Sequence, residues 1–209
     1  SPFIMTSTES LLNICFNTSL QKYGGDLAVG TMTILSSCMQ VCNLPLQGLA
    51  QGAQPIISYN FGARNLSRVK EAFRLLFISA VCASSAIWLI AIFIPGFFPS
   101  LFSGDAELIA YASWAIRIYL GMVFVMGAQM ACQQTFVAIG EAKISLFLAL
   151  FRKIIVLIPL IYLLPGFFAD KVFAVFLAEP VADTLAAITT TTLFFWRFRK
   201  LSRRMDRAG

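Results

Sequence analysis

Six apolar stretches, each long enough for a helix to cross about 30 Å of hydrocarbon, follow one another with only short breaks between them. They cover roughly residues 3–20, 28–58, 75–98, 108–139, 144–164 and 172–196. Lipid offers the backbone no hydrogen-bond partner, so such runs must satisfy their own N–H and C=O groups as helices. The breaks carry turn chemistry: Gln-Lys-Tyr-Gly-Gly-Asp at 21–26, Pro95, Gly96 and Pro99 after the third run, and Pro165-Gly166 after the fifth. An all-α integral membrane protein with six transmembrane helices is predicted. Composition agrees: 58% of the 209 residues are hydrophobic and only 12% are charged, about half the charged share of a soluble domain.

The basic residues set an orientation. With the first helix entering from the cytoplasm, the inner segments 59–74, 140–143 and 197–209 hold eleven Lys and Arg, against Lys22 and Lys171 outside. That asymmetry predicts a multi-pass protein of the plasma (inner) membrane with both ends cytoplasmic, 197–209 forming a basic tail. In a membrane chain these clusters read as orientation signals rather than a nucleic-acid surface. Arg152 and Lys153 fit neither side. About ten residues into the fifth run, they either snorkel to the cytoplasmic face or turn into the bundle interior. The chain starts at Ser1 inside an apolar run, which reads as a fragment of a longer protein.

Polar residues inside the runs are the candidates for function, because each must find a partner or a hydrated cavity. In the second run Gln40, Asn43, Gln47, Gln51 and Gln54 recur at spacings of three and four, which places them on one helical face. Thr6, Glu9, Asn13 and Asn17 do the same in the first run, and Gln129 and Gln133 in the fourth. Glu179 and Asp183 lie one turn apart around Pro180 in the sixth. Such stripes either glue helices together or line a shared cavity. The acids either carry protons or cations or touch headgroup water near a helix end. Pro45, Pro55, Pro159 and Pro180 remove backbone donors and predict bent helices.

Enzyme signatures are missing from the sequence. There is no histidine, so no His-based zinc site or catalytic pair, and no Gly-x-x-x-x-Gly-Lys to hold ATP. The five cysteines form no Cys-x-x-Cys, so no zinc site or disulfide framework is indicated and no cofactor is expected.

The segment Gly48-Leu-Ala-Gln-Gly-Ala-Gln-Pro-Ile-Ile-Ser-Tyr-Asn-Phe-Gly-Ala63 and the basic stretch after it resemble the MATE (multidrug and toxic compound extrusion) family, MepA-like branch. Ser1-Pro-Phe-Ile-Met5, Tyr23-Gly-Gly-Asp26, Arg152-Lys-Ile-Ile-Val-Leu-Ile-Pro159 and Ala178-Glu-Pro-Val-Ala-Asp183 resemble that branch's other segments, in the same order. The resemblance implies a twelve-helix transporter of two six-helix lobes, of which residues 1–209 form the C-terminal lobe. It implies export of cationic and amphipathic organic compounds by antiport with H⁺ or Na⁺, and an N-terminal lobe as partner. Glu9 and Asp183 would be the coupling acids of the seventh and twelfth helices, with Glu179 beside them. Asn13, Gln40, Asn43, Gln47, Gln51, Gln129 and Gln133 would face the cavity. The aspartate that NorM-type members carry in the tenth helix has no counterpart in 108–139, which favours H⁺ over Na⁺. The alternatives are a flippase of lipid-linked precursors and a non-transporting membrane scaffold.

Overall fold

A computed structural model describes the backbone of residues 2–208 and the side chains of Ile4 and of residues 6–201. Arg203, Arg204 and Arg207 of the basic tail, and most of the Ser1–Met5 segment, therefore lie outside the described side chains. In chain order the helices are α1 (Pro2–Gly62), α2 (Leu66–Phe93), α3 (Phe97–Ser100), α4 (Ala106–Tyr119), α5 (Val123–Ala138), α6 (Ala142–Leu150), α7 (Ile158–Leu163) and α8 (Lys171–Ala208). A π-helical segment, Phe151–Leu157, joins α6 to α7, and a 3₁₀ turn, Leu164–Gly166, follows α7.

The long α1 is two helices meeting at Gly25, whose φ of 66° and ψ of −159° break the helix. That backbone region belongs essentially to glycine. Gly24 is needed for a different reason: a Cβ there would come within 2.5 Å of the Ala28 Cβ and 2.9 Å of Val172. The Gly-Gly pair thus turns the chain from a first arm (residues 2–24) into a second (26–62). Leu12, Phe16 and Leu20 of the first arm share one buried core with Met32, Leu35 and Cys38 of the second.

Two spans in α1, then α2, the α4–α5 pair, the run from α6 through the 3₁₀ turn, and α8 make six crossings among the described residues. Their ends alternate as six crossings require. Lys22 and Lys171 both lie over the Tyr23 ring at one end, whereas Arg197 pairs with Glu141 at the other, at 3.7 Å.

Three boundaries differ from the sequence expectation. The inner segment 59–74 is mostly helix: α1 runs to Gly62, Arg64 turns the chain with φ 55°, and Asn65 caps α2 by accepting from the Arg68 N–H. The tail 197–209 is not a separate element, because α8 continues to Ala208. The fourth run is not one helix, since α4 and α5 meet at 54° through Leu120–Met122. A break in mid-membrane frees carbonyls, and the Trp88 indole N–H of α2 donates to the Gly121 carbonyl at 2.7 Å. Beyond that break α5 lies hard against α2. A Cβ on Gly127 would stand 2.3 Å from the Ala80 carbonyl oxygen, and Ser84 Oγ bonds across to the Phe124 carbonyl at 2.9 Å.

Candidate functional site

The six spans enclose a cavity of about 940 Å³. Its walls come from both arms of α1, from Tyr119 at the end of α4, and from α5, α6, the π-helical segment and α8. Phe16, Met32, Met39, Met126 and Met130 make an apolar, adaptable side. Opposite them stand polar and charged groups that the helix periods bring round to one side.

Gln40, Asn43 and Gln47 line the cavity from the second arm of α1. Gln51 is exposed and is not among the lining residues, because the next turn carries it about 6 Å further along the axis. The same helix runs straight through Pro45 and Pro55. Its other side, with Pro45, Gly48 and Gly52, borders a second, apolar hollow of about 990 Å³ against α2. Asn13 and Glu9 line the cavity from the first arm, and Gln129 and Gln133 from α5. Gln133 donates to the Ser145 carbonyl at 3.0 Å, while the buried Oε1 of Gln129 accepts no hydrogen bond.

The charged groups form two clusters, and both begin in the π-helical segment. There the Ile158 N–H bonds to the Lys153 carbonyl, five residues back, and Pro159 can donate no bond of its own. This wider turn carries Arg152 and Lys153 on adjacent directions into the bundle. Arg152 reaches α8: Nη2 meets Glu179 Oε1 at 2.6 Å, and Nε donates to Asp183 Oδ1 at 2.9 Å, with Nη2 also on that oxygen. Lys153 Nζ pairs with Glu9 Oε1 on the first arm of α1.

The two acids of α8 are deeply buried, Glu179 7% and Asp183 1% exposed at the side chain, whereas Glu9 is 58% exposed. Glu179 lines the cavity; Asp183 lies behind it and does not. Pro180 between them leaves the helix one donor short, and the Pro180 carbonyl accepts from Thr184 Oγ1 at 2.8 Å. The second carboxylate oxygen of Asp183 is buried with no hydrogen-bond partner among the described residues.

Arg152 and Lys153 therefore take the interior course of the two their sequence position allowed. Their pairing with the acids was the part that sequence reasoning missed. The available signal was arithmetic: three intramembrane acids and two intramembrane bases, none near a helix end, need one another. Two carboxylates on one guanidinium leave the α8 cluster with one excess negative charge, a costly state in a buried site. A single bound proton, or a cation arriving from the cavity, restores balance.

Comparison with known proteins places this geometry. The MatE family model matches residues 2–163, well over half of the chain. Multidrug export protein MepA of Staphylococcus haemolyticus is 22% identical over 194 residues, covering 91% of this chain and 42% of that protein. The Staphylococcus saprophyticus MepA is also 22% identical, over 189 residues, 89% of this chain and 41% of that one. The chain thus spans about two-fifths of the length of the curated relatives it matches. Among solved structures, the MATE multidrug transporter DinF-BH in complex with a dye is 34% identical, with a TM-score of 0.77 over 93% of this chain and 43% of that one. A MATE protein in the bent conformation superposes with a TM-score of 0.88 at 18% identity, over 96% of this chain and 44% of its own. With a family model covering most of the spans and the same fold in solved relatives, the chain belongs to the MatE family of multidrug transporters.

Proposed function

We propose that this chain is the C-terminal six-helix lobe of a secondary transporter, not an enzyme, and that it exports lipophilic organic cations in exchange for H⁺. The observation that carries the reading is the charge count at Arg152, where Glu179 and Asp183 face one guanidinium in a site opening on a large cavity. One proton balances that cluster, and its loss leaves a negative site for a cationic cargo. Cargo and proton then compete for the same charge, which is the requirement of antiport. The neutral amide side chains and the Met and Phe wall supply contacts that tolerate varied shapes. The solved relative's complex with a dye supports an organic cargo of this kind.

Coupling by H⁺ is preferred to Na⁺ because each of the three acids already meets a basic side chain, leaving no ring of free carboxylates for a metal ion. The partner is an N-terminal lobe of the same transporter, and the protein sits in the cell membrane with both ends of this chain on the cytoplasmic side. The test is pH-gradient-driven efflux of ethidium, a fluorescent organic cation, by full-length protein in vesicles. Asp183→Asn and Glu179→Gln are each expected to abolish it, and Glu9→Gln to reduce it. Undiminished efflux in the two α8 variants would remove the coupling role.

A further inference from the structure

All three intramembrane acids are already held by cations of the chain itself, and the two cations are neighbours on one irregular backbone segment. From this we infer that Arg152 is a tethered competitor of the cargo: its guanidinium occupies the place that an organic cation must take at Glu179. The inference rests on the export of organic cations proposed above and adds the residue that sets how tightly they bind.

The geometry separates this role from that of a passive brace between the fifth and sixth spans. Arg152 and Glu179 both line the cavity, whereas Asp183 stands behind them. A cation entering the cavity thus meets Glu179 with the guanidinium already on it, and can reach it only as the guanidinium withdraws. Arg152 need not leave the site to do so. Nε and Nη2 also hold Asp183, so the side chain can give up Glu179 and keep a neutral pair with Asp183. Glu179 then takes the cargo, and the proton that balanced the cluster leaves. Charge is conserved at each stage: one guanidinium and one proton against two carboxylates before, one guanidinium and one cargo cation against the same two after.

The backbone supplies the movement. Arg152 lies in the π-helical segment that ends just before Pro159, where hydrogen bonds run from i to i+5. Such segments are single-turn departures from the α-helix. A return to α-helical bonding shifts the side chains of that turn round the axis. Because Lys153 is carried on the same turn, its hold on Glu9 loosens in the same movement, which opens the first arm of α1 as well as α8 to the cargo.

The test is equilibrium binding of ethidium to the purified full-length transporter at fixed pH. Arg152→Gln removes the competitor and is expected to tighten ethidium binding by roughly 5–150-fold, the usual range for coupled sites. Binding of an uncharged amphiphile of similar size is expected not to change. Arg152→Lys keeps one charge but cannot serve both carboxylates, so an intermediate gain is expected. If Arg152→Gln does not yield folded protein, the lysine variant carries the test. Unchanged or weaker ethidium binding in a folded variant, with wild-type protein binding the dye, overturns the competitor role and leaves Arg152 as a brace. If neither wild type nor variant binds ethidium or another lipophilic cation, the organic-cation reading itself fails, and the inference with it.

Discussion

Arg152 and Lys153 are adjacent in sequence and arise from one turn of backbone, yet they enter different electrical surroundings. Arg152 meets two acids that are almost fully enclosed by α8 and its neighbours; Lys153 meets one, Glu9, that is more than half exposed to the cavity. Burial makes the difference. An enclosed ion cluster has exchanged its hydration for its partners, so removing one partner strands the others. An exposed pair keeps water as an alternative and gains little from closure. The same two residue types, one position apart, therefore make a tight charged lock on one side and a loose one on the other.

The sharpest way to break that comparison is to remove the two cations separately. Arg152→Ala leaves Glu179 and Asp183 one turn apart with no counter-charge, and should lower stability by about 3–5 kcal/mol, measured by thermal unfolding in detergent. Adding Asp183→Asn to that variant takes away one stranded charge and should recover about 1–3 kcal/mol of the loss. A strictly additive double variant would mean that the two side chains are not coupled. Trp88→Phe tests a buried polar contact outside both clusters. It strands the Gly121 carbonyl at the α4–α5 break, and should cost about 1–3 kcal/mol while leaving ethidium binding in place. Smallest is Lys153→Ala, at about 0–1 kcal/mol, its effect shrinking further as salt is raised. A loss for Lys153→Ala as large as that for Arg152→Ala would erase the distinction drawn between the two locks.

Much of the fold could be read from the chain because membrane spans declare themselves locally. Gly24 and Gly25 mark a turn by composition, and the structure uses them as one. The break at Leu120–Met122 left no such mark. It is tolerated because Trp88, 33 residues earlier in the chain, reaches the freed carbonyl, and no local pattern announces a partner at that distance. The site divides in the same way. Helical spacing brought Gln40, Asn43 and Gln47 to one face, but how far the cavity extends along that face is decided by neighbouring helices, and it stops short of Gln51. The π-helical turn is the other illegible element. An α-helical reading of the fifth run leaves the directions of Arg152 and Lys153 open, and only the observed packing assigns the first to α8 and the second to α1.

The central claim is that the pair of acids on Arg152 holds one proton, which cargo displaces. Proton release on ethidium binding by the full-length protein in weakly buffered solution tests it most directly. Wild-type protein is predicted to release protons as the dye binds. Asp183→Asn and Glu179→Gln, each of which leaves a single acid on the guanidinium and a balanced pair, are predicted to bind the dye with that release lost. Undiminished proton release in both variants would contradict the account.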